Sequence, residues 1–267
     1  MKIINRIFCF CLLPGVLAVA ISLPARAQEA SVDFSPDITL NLDGVVTADE
    51  DVSRDDFANV FDIPVGAIPP NADITVYHML ANGDALLSFD ITIELPGAVI
   101  ARPQDVVRYD GVNYSIELDG LSEGIPAGVG IDAASIAGDG DLLLSIDGTV
   151  DFGGLVATDE DIIQFDGNDF SLAFDGSTTG IATSLDIDAM HFAPDSNEFY
   201  FSFDTGGEIE NQVFSDEDLL KYNPESDNWS MAYDGSTRHP EWVAGDMDAA
   251  FVSFLVGYIF RDGFENF

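Results

Sequence analysis

The sequence predicts an all-β protein, and three observations support this class. Short segments rich in β-branched and aromatic residues alternate apolar and polar positions, so that Leu87, Phe89 and Ile91 share one face of a predicted strand. These segments close on Asp, Asn or Gly, which favour tight turns. After the first 27 residues no segment has the periodicity of an amphipathic helix. The same kinds of segment also recur at a regular spacing.

The chain contains an internal repeat. A five-residue pattern beginning at Leu86 returns at Leu143 and at Tyr200, each time after 57 residues, and each copy ends in Asp. A weaker copy is 39–43, Thr-Leu-Asn-Leu-Asp. Three other segments recur with this pattern, one before it and two after it. Each unit is therefore predicted to contain four strands.

Four strands in a repeat of about 50–60 residues are typical of a β-propeller blade. Complete units cover 73–120, 129–176 and 185–235. The remaining unit is divided, with its first strand near 244–251 and its later strands near 37–62. Pairing of the two chain ends would close a ring and leave no free sheet edge. We therefore predict a four-bladed β-propeller, with a β-sandwich or an open solenoid as the alternatives.

The ends of the chain carry predicted export features. Lys2 and Arg6 precede an apolar core, and Ala25-Arg26-Ala27 provides the small residues of a cleavage site, so 1–27 is predicted to be a signal peptide. Cleavage would remove both cysteines and leave a single propeller domain, 28–257, with a tail, 258–267. The tail resembles one shared by assorted secreted proteins of Gram-negative bacteria, or it is a closing strand with a frayed end. We expect a secreted or periplasmic bacterial protein without membrane insertion.

The charge is strongly negative. The chain has 48 acidic and 9 basic residues, and signal cleavage would leave six basic ones. Nucleic acid and anionic lipid are excluded as partners, because both bind basic surfaces. A monomer that binds a protein or a carbohydrate is the expectation. Such a charge also calls for screening by salt or divalent cations; the plain alternative is a solvated acidic surface.

The order of the motifs resembles that of hemopexin-like four-bladed propellers. Ile187-Asp188-Ala189 precedes the aromatic strand 200–203 and the strand 219–222, which ends on an aromatic residue. In that family the corresponding Asp-Ala positions line a central tunnel that holds ions through backbone carbonyls. The resemblance implies that Asp132, Asp188 and Asp248 lie near such a tunnel, with Thr75 at the fourth position.

Two sets of aspartates are candidate calcium ligands, because calcium binds six to eight hard oxygen atoms. The first set lies in Asp-Glu-Asp loops before the third strand of a unit and consists of Asp159, Asp161, Asp216 and Asp218. Turn formation, in which the carboxylate accepts backbone N–H bonds, is the alternative for these loops. The second set lies on the innermost strands and consists of Asp132, Asp186, Asp188, Asp246 and Asp248. Carboxylates that converge there would need a cation to remain ionised.

Catalytic motifs are absent from the sequence. It has no Gly-x-Ser-x-Gly elbow, no phosphate-binding glycine loop and no His-Glu-x-x-His pair. His78 and His191 occupy matching positions of two units, for which packing is the expectation. We therefore predict a secreted, non-enzymatic binding or scaffold module that calcium or salt stabilises. The alternative is a metal-dependent hydrolase of polysaccharides or phosphoesters.

Overall fold

A computed structural model describes residues 28–255. The predicted signal peptide, 1–27, and the predicted tail, 258–267, lie outside the described residues. In chain order the strands are β1 (Gln28–Pro36), β2 (Leu40–Leu42), β3 (Val45–Thr47), β4 (Val52–Asp55), β5 (Val60–Ile63), β6 (Ile74–Met79), β7 (Ala85–Phe89), β8 (Ile93–Leu95), β9 (Val99–Ala101), β10 (Val106–Tyr109), β11 (Tyr114–Leu118), β12 (Ile131–Ile136), β13 (Leu142–Ile146), β14 (Val150–Asp151), β15 (Val156–Ala157), β16 (Ile162–Phe165), β17 (Phe170–Phe174), β18 (Ile187–Ala193), β19 (Glu198–Phe203), β20 (Gly207–Ile209), β21 (Gln212–Phe214), β22 (Leu219–Asn223), β23 (Asn228–Tyr233) and β24 (Met247–Leu255).

The longer strands of the described part form four antiparallel sheets of four strands, which are the blades of a β-propeller. Blade 1 contains β6, β7, β10 and β11; blade 2 contains β12, β13, β16 and β17; blade 3 contains β18, β19, β22 and β23. The closing blade has the order β24-β1-β4-β5, so the first and last strands pair directly. The predicted fold class and the predicted closure of the ring are both confirmed.

Each blade also carries a two-stranded ribbon that the sequence analysis did not identify: β2–β3, β8–β9, β14–β15 and β20–β21. The segment 39–43, predicted as the second strand of the closing blade, contributes β2 to a ribbon instead, and that second strand is β1. Ser35 of β1 shows the equivalence. Its hydroxyl donates to the carbonyl oxygens of Asp49 and Asp51, as Ser202 does to those of Asp216 and Asp218.

The hydrophobic core lies between neighbouring blades. Four clusters of buried side chains each join two adjacent blades, and together they cover all four interfaces of the ring. Representative members are Leu86 and Leu144 between blades 1 and 2, Leu143 and Phe201 between blades 2 and 3, Phe34 and Tyr200 between blade 3 and the closing blade, and Tyr77 and Ala249 between the closing blade and blade 1. Because every blade buries both faces, closure of the ring stabilises each unit.

The first strands of the blades, β6, β12, β18 and β24, contact one another around the axis. In each blade a backbone hydrogen bond joins the beginning of the first strand to the end of the second. In blade 3, for example, the Asp204 N–H donates to the backbone carbonyl oxygen of Asp186. Ribbons and blade-to-blade connections extend from this end of the blades, which we call the mouth face. The connections include α1 (Gly120–Glu123), α2 (Gly235–Arg238) and 3-10 turns at Gly176–Thr178 and Pro240–Ala244. Among residues 28–255 no helix has the length and hydropathy of a membrane span.

Candidate functional site

Aspartates from all four blades converge at the mouth face. The first strands supply them at or near their first residues, and the ends of the second strands and the loops before the third strands supply the rest. Their carboxylates interact electrostatically with one another, and we call this group the acidic mouth: Asp37, Asp49, Asp73, Asp90, Asp132, Asp147, Asp159, Asp186, Asp188, Asp204, Asp216, Asp246 and Asp248. The predicted convergence of inner-strand aspartates is thus present in the fold.

The tightest part of the acidic mouth joins blade 3 to the closing blade. Asp188, Asp246 and Asp248 each bring one carboxylate oxygen within 4.8 Å of the others. Asp188 belongs to β18, and Asp248 belongs to β24. Asp246 directly precedes β24, and its backbone N–H donates to Asp37 Oδ1 at 2.6 Å. Strand β18 and the start of β24, which are distant in sequence, therefore bring three carboxylate oxygens close together.

Burial and mutual repulsion disfavour the ionised form of these carboxylates. Burial, followed by the charge of Asp246, raises the pKa of Asp248 to about 8. Burial raises the pKa of Asp246 to about 7, with a further contribution from Asp216. For Asp188, burial and then the charges of Asp248 and Asp246 raise the pKa well above its ordinary value. A cation at this point would remove the repulsion and allow all three groups to ionise.

Blade 2 and the neighbouring end of blade 3 contribute two carboxylates that each have one buried oxygen without a donor. Asp132 Oδ2 and Asp186 Oδ1 are buried and have no hydrogen-bond partner. Burial and then the charge of Asp186 raise the pKa of Asp132 to about 8, while burial and then the charge of Asp159 raise the pKa of Asp186 to about 7. Buried polar atoms are normally bonded, so these two oxygens have unmet capacity for a ligand. At the equivalent position of blade 1, the Thr75 hydroxyl instead donates to the Ile131 oxygen at 2.8 Å.

The Asp-Glu-Asp loops divide into two kinds of carboxylate. Asp159 and Asp216 belong to the acidic mouth, as their effects on its pKa values show. Asp161 and Asp218 do not point there. Asp161 accepts the N–H groups of Thr158 and Gly176. Asp218 is bonded in the same way, to the N–H groups of Ser215 and Gly235. Asp161 and Asp218 are thus bonded as turn residues, which is the alternative that the sequence analysis gave for these loops.

The channel along the axis is closed by His78, Ser135, His191 and Phe251, one residue from each first strand. The rings of His78 and His191 stack with centroids 5.7 Å apart, and Phe251 packs edge-on against both, at 5.2 and 4.8 Å. His78 Nδ1 lies 3.3 Å from Ser135 Oγ. Burial lowers the pKa of His78 to about 4, and burial together with His78 lowers that of His191 well below its ordinary value. Both histidines are therefore neutral packing residues at physiological pH.

A second buried carboxylate centre lies between blade 3 and the closing blade, and no sequence pattern indicated it. Asp55, which is fully buried, accepts two bonds from the Arg238 guanidinium, each 3.2 Å long. The Tyr233 hydroxyl donates to Asp55 Oδ2 at 3.1 Å, and His239 Nε2 lies 3.1 Å from the same oxygen. Burial tends to raise the pKa of Asp55, but the bonds from Arg238 and the Phe57 N–H lower it overall. Donors therefore saturate both carboxylate oxygens of Asp55, and we call this centre, Asp55 with Tyr233, Arg238 and His239, the lock.

Comparison with known proteins adds only distant similarity of form. No family model and no curated protein matches the sequence. The extracellular domain of a one component system from B. thetaiotaomicron is 11% identical over 80% of this chain, with a TM-score of 0.34. This chain covers 29% of that structure, which is less than a third of its length.

Two further solved structures show likeness at the same level. YCF48 bound to D1 peptide is 10% identical, with 84% of this chain and 76% of that chain covered and a TM-score of 0.31. A catalytically inactive virginiamycin B lyase from Staphylococcus aureus, with quinupristin, is 8% identical, with 77% and 72% covered and a TM-score of 0.33. Values this low transfer no function, and the propeller assignment rests on the strand pairing described above.

Proposed function

We propose that this protein is an exported, monomeric, non-enzymatic binding module whose acidic mouth holds a calcium ion. The observation that carries the proposal is the cluster of Asp188, Asp246 and Asp248, with carboxylate oxygens within 4.8 Å of one another. Calcium prefers such hard oxygen ligands, whereas softer metals select nitrogen and sulfur. The export part of the proposal is supported by the N-terminal sequence, which lies outside the described residues.

The chemistry of the surrounding groups fits a cation. Asp132 Oδ2 and Asp186 Oδ1 are buried without a donor, and both carboxylates interact electrostatically with Asp188. The basic residues of the described part engage other groups. Arg54, Arg102, Arg108 and Arg238 pair with Asp33, Asp105, Asp84 and Asp55, and Lys221 Nζ lies 5.7 Å from the centre of the Tyr200 ring. An external cation is therefore the natural partner of these carboxylates.

Binding is favoured over the hydrolase alternative by the floor of the site. Below the carboxylates the channel is filled by His78, His191 and Phe251, and both histidines are buried. A substrate chain could not pass along the axis. Burial lowers the pKa of both histidines, so neither is suited to protonate a leaving group at neutral pH. A ligand held at the mouth is the arrangement that this geometry supports.

Calorimetric titration of chelator-treated protein with calcium tests the proposal. We expect one binding event with proton release, because carboxyl groups with pKa values of about 7 to 8 must ionise to ligate the ion. Asp248→Asn should weaken calcium binding at least tenfold. The matched control is Asp195→Asn, which removes one exposed carboxylate in the turn between β18 and β19, on the opposite face. Absence of calcium binding by the wild-type protein, or equal binding by the two variants, would refute the proposal.

A further inference from the structure

An exposed aliphatic residue recurs at one position of every ribbon. Val46, Ile100, Val156 and Val213 each lie on the second strand of a ribbon, with 57, 43, 54 and 66% of the residue surface exposed. We call these four residues the aliphatic crown. The next residue in each ribbon is buried, so alternation turns the crown residues outward. Their cross-strand partners are exposed and polar, namely Asn41, Glu94, Asp151 and Glu208.

Exposed apolar side chains concentrate on the mouth face. Twelve large apolar residues are exposed in the described part, and seven of them lie in ribbons or connections of this face: the aliphatic crown with Ile38, Leu121 and Val243. Two, Phe57 and Val112, lie in turns of the opposite face, and three lie on outer strands. Single apolar residues scattered over a surface need no explanation, but these seven share one face, and four of them repeat once in every blade.

The charge of the mouth face determines which partner this surface fits. The acidic mouth and the acidic ribbon residues Glu94, Asp151 and Glu208 surround the aliphatic residues with negative charge. One calcium ion would neutralise only a small part of it. A second copy of this chain and an anionic membrane would both be repelled. Attraction requires a partner that carries positive charge beside apolar side chains.

We infer that the mouth face is the docking surface for a basic segment of a partner protein, in which Lys or Arg residues alternate with aliphatic ones. The basic side chains face the acidic mouth, and the aliphatic side chains pack against the crown. Apolar contacts at a charged rim provide affinity that salt does not screen, while the charges provide attraction and orientation. This inference rests on the proposed role as a binding module but does not depend on calcium.

The test uses two fluorescent twelve-residue peptides of equal charge, one alternating Lys with Leu and the other alternating Lys with Ser. Fluorescence anisotropy is measured on the full mature protein in 0.15 M NaCl, with and without calcium. We expect the Lys-Leu peptide to bind about tenfold more tightly than the Lys-Ser peptide, as burial of a few aliphatic groups would produce. The crown variant, Val46→Thr, Ile100→Thr, Val156→Thr and Val213→Thr, keeps β-branching and should lose this preference.

A matched variant replaces four exposed apolar residues that lie away from the mouth face: Phe61→Thr, Val112→Thr, Ile116→Thr and Leu172→Thr. It should keep the preference for the Lys-Leu peptide. Equal loss in both variants, or retention in the crown variant, would overturn the inference. Sedimentation and flotation with zwitterionic vesicles test the other occupants. Dimerisation or vesicle binding that the crown substitutions abolish would assign the face to a second copy or to lipid instead.

The two proposals can fail separately. Calcium titration of the crown variant should match the wild type, because its substitutions lie outside the carboxylate cluster. If Asp248→Asn binds calcium normally while the crown variant loses its peptide preference, the calcium proposal is wrong and the docking inference stands. The reverse pattern, with calcium binding lost in Asp248→Asn and the peptide preference kept by the crown variant, removes only the docking inference.

Discussion

Asp55 and Asp132 are both buried aspartates, but their surroundings differ. Asp55 accepts bonds from Arg238, Tyr233 and a backbone N–H, and its pKa is lowered despite burial. Asp132 has a buried oxygen with no donor, and burial together with the charge of Asp186 raises its pKa to about 8. Burial alone therefore does not mark a binding site in this protein. The carboxylates of the proposed cation site differ from Asp55 in that some of their buried oxygens have no donor.

The difference between Asp55 and the carboxylates of the acidic mouth predicts one effect above all others in size. It is the pH dependence of the free energy of unfolding, measured on chelator-treated protein. Aspartate in an unfolded chain has a pKa of about 3.9, but Asp132, Asp186, Asp246 and Asp248 have values of about 7 to 8 in the fold. The folded state thus holds protons that the unfolded state releases. The corresponding stability is present below about pH 4 and is lost as pH rises through 7 to 8. We expect a loss of a few kcal/mol between pH 5 and pH 8.5 in urea unfolding.

Millimolar calcium should remove most of that loss, because the ion stabilises the ionised carboxylates. Molar NaCl should act more weakly, since it screens exposed charges better than half-buried ones. The melting temperature at pH 8, measured in calcium and in NaCl, checks this expectation. A melting temperature that neither additive changes would show that repulsion at the mouth does not limit stability.

Substitution at the lock should give the largest effect of any single residue. Asp55→Asn leaves Arg238 and the Tyr233 hydroxyl without their charged acceptor in a buried interface. We expect a loss of about 2 kcal/mol in the free energy of unfolding, less than for a fully buried pair, because 32% of the Arg238 side chain is exposed. Calcium affinity should not change. A loss below about 1 kcal/mol would mean that Asp55 is not the lock between blade 3 and the closing blade.

Asp218→Asn tests a turn carboxylate of the Asp-Glu-Asp loops. The amide can accept only one of the two backbone N–H bonds that Ser215 and Gly235 now donate. We expect destabilisation of about 1.5 kcal/mol, the cost of one charged hydrogen bond. Calcium titration should match the wild type. Weaker calcium binding at unchanged stability would make Asp218 a ligand rather than a turn residue.

Asp132→Asn should have the smallest effect on the free energy of unfolding, and it should stabilise the protein, whereas Asp55→Asn and Asp218→Asn destabilise it. At pH 8.5 the wild-type carboxylate is mostly ionised, so a neutral amide removes repulsion from Asp186 and should stabilise the chelated protein by about 1 kcal/mol. At pH 6 the difference should be smaller but not zero, because the unfolded aspartate is ionised and folding must still protonate Asp132; it should vanish only below about pH 4. Urea unfolding at both pH values makes the measurement. Destabilisation at pH 8.5 would show that Asp132 has a donor, as Asp55 does.

Much of the fold followed from local patterns. The spacing of 57 residues between Leu86, Leu143 and Tyr200 reflects one blade per repeat. The divided fourth unit predicted that the two chain ends share one blade, although the strand that pairs with β24 is β1 and not 39–43. The ribbons were missed because Leu40 and Leu42 alternate with polar residues as a blade strand does. Alternation reports that one face is buried, but not which strand covers it.

The candidate site was predictable in part. Asp188, Asp246 and Asp248 were identified from the repeat, because equivalent positions of first strands meet at the axis of a ring. Asp159 and Asp161 could not be told apart, since two residues of one loop differ only in the donors that they face. Asp161 accepts the Gly176 N–H from the end of β17, a contact that the repeat pattern does not encode.

The sequence by itself determined the repeating unit, the closure of the ring and the aspartates of the first strands, because short-range alternation and spacing produce them. The tertiary structure alone decided which buried carboxylates are saturated. The donors to Asp55 lie on Tyr233 and Arg238, far along the chain, and reach it only when the closing blade docks on blade 3. Hydrogen-bond saturation depends on such distant neighbours, so it distinguishes the lock from the acidic mouth only in the folded ring.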